Sequence, residues 1–317
     1  MSNSKFDNNN YGSDSESRVP PRPKKRGERI DGYRVRDVKP FHELLPFLMK
    51  TRDSSSNFFK MTYDISNVIE YLDEKNKNLE LENNENNSIK KYGFNLFFIA
   101  ALTRVIALRP HLNRFISGKR IYQRHDIEIG YVIKKNFNDD GEESSTVSPF
   151  LRDSNIEDVK EVLDKSIFNV KKETDDGTGD FIKTLMKFPT FMVTIVIALF
   201  DLFAFIGHGP KVLKDIDTMQ ASAFIANLGS IGLEKVPYHH LYDRGTCSMF
   251  LTLGRARKEL VSTKEGFVEK NLVDVAITMD ERITDGFYFV KSLDLLQDIL
   301  NNPYLLDKRL KEVPIDK

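Results

Sequence analysis

Apolar residues recur along the chain at helical or alternating intervals, and these intervals predict where helices and strands lie. Helical spacing predicts one helix over residues 94–109 and another over residues 287–300, which the Asn-Pro pair at 302–303 ends. The apolar positions of the second helix are Phe289, Leu293, Leu296 and Leu300. Alternation over residues 58–64 predicts a strand. The polar run over residues 75–91 predicts a loop.

The most apolar stretch of the chain covers residues 188–206. Pro189 stands at its start and Asp201 interrupts it. A membrane span needs about 20 apolar residues with few charges, and a charge at mid-depth is costly. We therefore predict a buried helix, packed in the domain or at a subunit interface. Membrane association is the less favoured alternative.

Composition and charge narrow the class of protein. Lysine plus arginine number 47 and so do aspartate plus glutamate, so no net field favours nucleic acid or an anionic membrane. The single cysteine, Cys247, excludes an internal disulfide and a cysteine-based metal cluster. Residues 1–29 are polar and basic, which predicts a disordered tail without a signal peptide, and the expected location is the cytoplasm. Residues 30–317 are expected to form one domain.

The most specific pattern lies near the C-terminus, at residues 280–286. It reads Asp280-Glu281-Arg282-Ile283-Thr284-Asp285-Gly286. The segment resembles the Asp-His-Arg-x-x-Asp-Gly motif of the dihydrolipoyl acyltransferase catalytic domains, the cores of 2-oxo acid dehydrogenase complexes. That family shares a fold with chloramphenicol acetyltransferase. Every fixed residue of the motif is present except the histidine, whose place Glu281 takes.

Other segments resemble the same family in the same order over residues 33–310. The resemblances are a first helix at 46–52, a second at 65–75, a hairpin at 127–133 and 146–153, and core strands at 225–232 and 246–254. The resemblance implies an α/β fold of two layers (an α+β sandwich), with a mixed sheet flanked by helices. It also implies a trimer with active sites shared between subunits. The chain would be a divergent stand-alone member, because the tail is too short for a lipoyl or subunit-binding domain.

The resemblance implies a particular chemistry at two positions. The family's histidine removes a proton from a thiol, and the thiolate attacks a thioester. A serine hydroxyl on a core strand stabilises the resulting oxyanion. Here Glu281 replaces the histidine and Ala226 replaces the serine. Arg282, Asp285 and Gly286 keep the motif's structural roles, in which the aspartate fixes the loop and the glycine permits a tight turn.

Glu281 has two interpretations that the sequence does not separate. An ordinary carboxylate is a poor base for a thiol, but a glutamate tuned by its surroundings is an established catalytic base. The alternative is a structural carboxylate that holds Arg282 or a backbone amide. Other side chains are candidates for the missing base and the missing oxyanion donor.

His240 is the second candidate for the base, because histidine titrates in the useful range. His239 is included beside it, although at most one of two adjacent residues is expected to face the substrate. They lie in a polar loop between two core strands, and the alternative is a pair of surface histidines bonded to the backbone. Asn227 and Ser230 could donate hydrogen bonds to an oxyanion. For them, turn formation in the Asn-Leu-Gly-Ser segment is the favoured interpretation. No metal site is expected.

These features together predict a coenzyme A-dependent acyltransferase that moves an acyl group between a coenzyme A thioester and a thiol or other small acceptor. No bound cofactor is expected, since the thioester is the substrate and a lipoyl group would arrive on another protein. The alternative is a catalytically silent trimer that binds an acyl carrier or scaffolds another enzyme.

Overall fold

A computed structural model describes residue 19 and residues 22–82, 91–134, 143–172, 184–207, 218–264 and 266–316. The α-helices are α1 (Pro40–Leu48), α2 (Ser66–Glu82), α3 (Phe94–Leu108), α4 (Ile156–Lys172), α5 (Thr190–Ile206) and α6 (Gly286–Asn301). The strands are β1 (Gly32–Arg34), β2 (Ser56–Asp64), β3 (Arg114–Ser117), β4 (Arg120–Arg124), β5 (Ile127–Lys134), β6 (Glu143–Phe150), β7 (Ala223–Asn227), β8 (Met249–Leu253), β9 (Arg257–Thr263) and β10 (Gly266–Asp280).

The main sheet has seven strands in the order β2-β10-β8-β7-β5-β6, with β9 paired to β10. Strand β7 is parallel to both β5 and β8, and the other pairs are antiparallel. The sheet is therefore mixed, as predicted, and its hairpin β5–β6 is the one expected from residues 127–133 and 146–153.

One face of this sheet is covered by helices, and the hydrophobic core lies between the two layers. Alternate residues of β8 and β10, including Leu251 and Ile277, join this core because successive strand residues point to opposite faces. Helix α3 is buried along most of its length and packs on α4 and α6. The other face carries mostly polar side chains and a small separate cluster that contains Phe224 and Phe250.

Several boundaries differ from the predictions for local reasons. The first helix is Pro40–Leu48 instead of residues 46–52, because Pro40 begins it and Met49 is already extended. Helix α2 extends into the predicted loop at residues 75–91 and ends at Glu82, since its Glu, Lys and Leu residues favour helix. The strand predicted at 225–232 ends at Asn227, where a 3₁₀ turn begins.

Two elements were not predicted. A small sheet in the order β1-β4-β3 lies beside the main one, and the β9–β10 hairpin extends the edge of the main sheet. The tail prediction for residues 1–18 lies outside the described residues. Arg29, which the prediction placed in the tail, is buried and pairs with Asp31 at 2.8 Å.

Helix α5 confirms the predicted helix over residues 188–206, but the prediction that it is buried within the domain is wrong. None of its residues is buried in the described part of the chain. The helical layer over the core is already formed by α2, α3, α4 and α6, so α5 lies outside it. Within the described residues, no helix combines the length and apolar character that crossing a bilayer requires.

Candidate active site

The motif at residues 280–286 forms a loop at the end of β10. Asp280 is fully buried and accepts hydrogen bonds from Arg282, with Nε to Oδ1 at 2.8 Å and Nη2 to Oδ2 at 2.6 Å. Arg282 also donates to the carbonyl oxygen of Met49 at 3.0 Å, just after α1. The bidentate ion pair with Asp280 occupies the Arg282 guanidinium, and the bond to Met49 holds the loop against the end of α1.

Glu281 is half-buried, and its carboxylate is not held by Arg282. Its backbone N–H donates to Ser55 O at 2.9 Å, and Asn57 Nδ2 donates to its Oε2 at 3.4 Å. The suggestion that Glu281 holds Arg282 therefore fails, because Asp280 occupies that guanidinium. A carboxylate that keeps lone pairs free can accept a proton.

Asp285 and Gly286 begin helix α6. Asp285 is its N-cap, and its Oδ1 accepts a hydrogen bond from the Tyr288 N–H at 2.7 Å. The observed role is to cap the helix; the role that the resemblance implies, fixing the motif loop, stays a prediction. Gly286 does not need the tight turn we expected, because its φ is not positive and a Cβ there would meet no atom of the described residues.

His239 and His240 lie in the loop that crosses the polar face of the sheet. The His239 ring stacks on Phe250 with centroids 3.7 Å apart, and its Nδ1 is 2.7 Å from the His240 carbonyl oxygen. A carbonyl only accepts, so Nδ1 carries the hydrogen and Nε2 remains an acceptor. Burial lowers the pKa of His239. His240 is exposed, so His239 is the member of the pair that lies against the sheet.

Asn227 and Ser230 form a turn directly after β7. The Asn227 Oδ1 accepts from the Ser230 N–H at 3.2 Å, and Ser230 Oγ donates to Asn227 O at 2.6 Å. Gly229 approaches Gly254 so closely that a Cβ would lie 2.5 Å from its carbonyl oxygen. The favoured interpretation, turn formation, agrees with this geometry. Within the described residues the Asn227 NH₂ group donates no hydrogen bond, whereas the Ser230 hydroxyl is already used.

Glu281 lies at one end of the sheet, and the candidates Asn227 and Ser230 lie at the opposite end. Asn227 pairs with Leu253, and Leu253 pairs with Val275, whereas Glu281 follows Asp280 at the far end of β10. The stretch from Val275 to Asp280 alone separates them by about 17 Å at about 3.3 Å per residue. A single copy of the chain therefore does not bring Glu281 and Asn227 to the same substrate atom.

His111, for which the sequence predicts no role, lies beside the motif loop. Its ring stacks on Tyr288 at 4.2 Å, and its Nε2 is 3.6 Å from Asp316. Burial, followed by the charge of Arg114, lowers the pKa of His111 to about 4. Its partners lie far along the chain, so no local sequence signal identifies it. The neutral ring supports the loop through Thr284, 3.5 Å from Nδ1.

A cavity of about 460 Å³ opens beside the same loop. Its lining includes Arg282 and three other cationic side chains, Lys50, Arg52 and Lys119. Arg52 is directed inward, where it donates to the carbonyl oxygens of Cys247 and Gly245 at 2.5 and 2.7 Å. Lys50 and Lys119 are exposed. The exposed carboxylate of Asp243 also belongs to the lining, but the cationic side chains outnumber it, so the cavity can accept an anionic group.

The thiol of Cys247 is not placed to act as a nucleophile. Cys247 is buried, and burial raises its pKa, which makes the thiolate rare. Among the described residues, no three His, Cys, Asp or Glu side chains come together in a group that could hold a metal ion.

Sequence comparison finds no protein family and no curated protein that matches this chain. Solved structures do match. A probable dihydrolipoamide acetyltransferase from Listeria monocytogenes has 14% identity and a TM-score of 0.54, over 89% of this chain and 97% of that one. The cubic core of the pyruvate dehydrogenase multienzyme complex has 12% identity and a TM-score of 0.52, over 91% and 99%. Chloramphenicol acetyltransferase has 13% identity and a TM-score of 0.50, over 83% and 96%.

These similarities establish the fold. The chain has the chloramphenicol acetyltransferase-like fold of acyltransferase catalytic cores, and the predicted fold class is confirmed. At this level of identity the similarity concerns architecture, and function has to be argued from the residues themselves.

Proposed function

We propose that this chain is an acyltransferase of the dihydrolipoyl acyltransferase type, which moves an acyl group between a coenzyme A thioester and a thiol acceptor. The observation that carries the proposal is the motif loop. Its Asp280–Arg282 pair is buried, and it leaves the Glu281 carboxylate half-buried and free of a guanidinium. The expected location is the cytoplasm.

Glu281 is the proposed general base. Its carboxylate accepts the proton of the acceptor thiol, and the sulfur attacks the thioester carbonyl carbon to form a tetrahedral oxyanion. The oxyanion collapses, the bond from carbon to the coenzyme A sulfur breaks, and that thiolate takes the proton back from Glu281. Atoms and charges balance without a further reactant. The hydrogen bond from Asn57 at 3.4 Å orients the carboxylate.

The oxyanion donor in this proposal comes from a neighbouring copy of the chain. Asn227 is separated from Glu281 by about 17 Å along the sheet of one copy, so the two groups need a subunit interface to meet. The Asn227 NH₂ group is the proposed donor in place of the missing serine hydroxyl. Ser230 keeps Asn227 in place through the 3.2 Å bond to its side-chain oxygen. A trimer supplies such interfaces by repeating one heterologous contact.

The cavity beside the motif loop supports coenzyme A as the acyl donor. Coenzyme A carries phosphate groups, and Lys50 and Lys119 are exposed cations in the lining. Cationic side chains at a cavity mouth stabilise bound phosphates.

His239 is the second candidate for the base. Its Nε2 is the acceptor nitrogen, and its ring lies on Phe250, the partner of Thr278 in the sheet. If it is the base, Glu281 is a structural carboxylate. Comparing variants of the two residues therefore decides the assignment.

The test measures acetyl transfer from acetyl-coenzyme A to dihydrolipoamide by the purified full-length protein. Glu281→Gln should lower kcat by about 100-fold or more. Glu281→His, which restores the family's residue, should retain transfer. His239→Gln and His240→Gln should stay within a few-fold of wild type, and Glu161→Gln on α4 is a matched control because Glu161 is exposed.

Two results would contradict this proposal. Full activity of Glu281→Gln with loss of activity in His239→Gln would assign the base to His239. Binding of acetyl-coenzyme A without any turnover would favour the silent carrier-binding alternative.

A further inference from the structure

Helix α5 exposes an apolar stripe along its outer side. Phe191 is 65% exposed, Ile195 55% and Leu199 48%, and these residues recur every four positions. Such spacing puts them on one face of the helix. The exposed large apolar residues of α5 are Phe191, Met192, Ile195, Leu199, Leu202, Phe203, Phe205 and Ile206.

The opposite side of α5 faces the protein, and the helix is fastened at its C-terminal end. Val193, Ile197, Phe200 and Ala204 are half-buried at helical spacing. Arg29 donates to the carbonyl oxygens of Phe205 and Ala204, both at 2.7 Å. The one charge of the helix, Asp201, accepts a hydrogen bond from Arg244 at 2.8 Å. These contacts hold α5 against the protein, so the exposed stripe has a fixed place on the surface.

A second exposed apolar patch adjoins α5 at the turn between β3 and β4. The Phe205 ring of α5 lies 2.9 Å from where a Cβ of Gly118 would be. On the α1 side of the same turn, Lys119 Nζ is 5.3 Å from the Phe47 ring. The exposed large apolar side chains of α1 are Phe41, Leu44, Phe47 and Leu48. Contiguous apolar surface of this kind marks an interaction site.

The charges around these two helices are mainly positive. Arg34 and Arg120 are exposed beside α1, and Lys187 is exposed just before α5. Glu43 lies 3.8 Å from Arg34, and Asp201 pairs with Arg244. The exposed Asp243 lines a cavity together with Lys119, so Arg120 and Lys187 supply the remaining positive charge. An apolar surface with a cationic rim is complementary to an anionic lipid bilayer.

We propose that α5 and α1 together bind the surface of an anionic lipid bilayer, with α5 lying in the plane of the interface. At about 1.5 Å per residue the helix is about 25 Å long, which is less than the hydrocarbon thickness of about 30 Å. It therefore lies on the bilayer instead of crossing it. A second copy of the chain is the alternative occupant, and the measurement of oligomeric state below separates it from a bilayer.

The experiment measures flotation of the full-length protein with vesicles of phosphatidylcholine alone and of phosphatidylcholine with phosphatidylserine. Binding should be stronger on the mixed vesicles. The double variant Phe191→Ser/Leu199→Ser should bind about 100-fold more weakly, from the loss of two buried apolar side chains. Leu81→Ser is the matched control, because Leu81 is exposed on α2 outside this surface.

The charge contribution has its own variant. Arg120→Glu should weaken binding to the mixed vesicles by about tenfold and leave binding to phosphatidylcholine unchanged. Analytical ultracentrifugation of the same proteins tests whether a second copy of the chain occupies this surface instead of a bilayer. The proposal is overturned if the wild type does not float with either vesicle. It is also overturned if Phe191→Ser/Leu199→Ser dissociates an oligomer without changing flotation.

Discussion

Replacing Asp280 by asparagine removes the charge that the motif loop depends on. Asp280 is 0% exposed and Arg282 is 6% exposed in their side chains, and three hydrogen bonds join them, at 2.6, 2.8 and 3.1 Å. The variant leaves the guanidinium buried without its counter-charge. Breaking a buried pair in this way costs about 3 to 5 kcal/mol. That loss is a large fraction of the stability of a typical domain.

Urea unfolding measures this loss, provided that the slope of the unfolding free energy with urea is unchanged. Asp201→Asn is the matched control. Its partner Arg244 lies at the same distance, 2.8 Å, but the two side chains are 53% and 35% exposed. An exposed pair contributes about 0 to 1 kcal/mol, so the control should remain close to wild type.

The double variant Asp280→Leu/Arg282→Met completes the test. Replacing both partners removes the unpaired charge, so its stability should be closer to wild type than that of Asp280→Asn. The reasoning is refuted if Asp280→Asn loses less than about 1 kcal/mol, or if the double variant loses more than the single one.

Three further predictions concern the surroundings of the loop. Asp285→Ala should lower the free energy of unfolding by about 1 kcal/mol through loss of the N-cap, while Asp285→Asn, which also caps, should not; urea unfolding decides. The pKa of His111 falls from 6.5 to about 4 on folding, so between these values the unfolded state binds the extra proton. The free energy of unfolding should therefore decrease as pH falls through this window, and His111→Gln should flatten that dependence. Cys247 is buried, and its pKa is raised, so a thiol reagent should label it only as the protein unfolds, and rapid labelling of the native protein would contradict its burial.

Parts of the fold with strong local patterns could be predicted from the sequence. Helices α3 and α6 have repeated apolar spacing, and they lie within a residue of the predicted bounds. The small sheet β1-β4-β3 has short strands, and β1 pairs with β4 about 90 residues away along the chain, so no local period marked it. The hydrophobicity of α5 correctly predicted a helix. The hydrophobicity of the segment did not predict which surface covers the helix, because it measures the tendency to avoid water and not the identity of a neighbour.

The candidate site was predictable only where neighbours in sequence are also neighbours in space. Asp285 capping α6 and Asn227 forming a turn are local events of this kind. The pairing of Arg282 with Asp280 instead of Glu281 depends on how the loop folds back on α1. The position of His111 against Asp316 depends on the whole chain. Long-range packing of that sort has no signature in a short segment.

The central claim is that Glu281 of one copy acts together with Asn227 of another, and mixing two inactive variants tests it. Glu281→Gln removes the base, and Asn227→Asp removes the NH₂ donor while keeping the oxygen that accepts from Ser230. If the two variants are unfolded and refolded together, random assembly should restore about one quarter of wild-type acetyl transfer, because that fraction of interfaces carries both native residues. Mixed oligomers that stay inactive, or a protein that remains a monomer, would contradict the account.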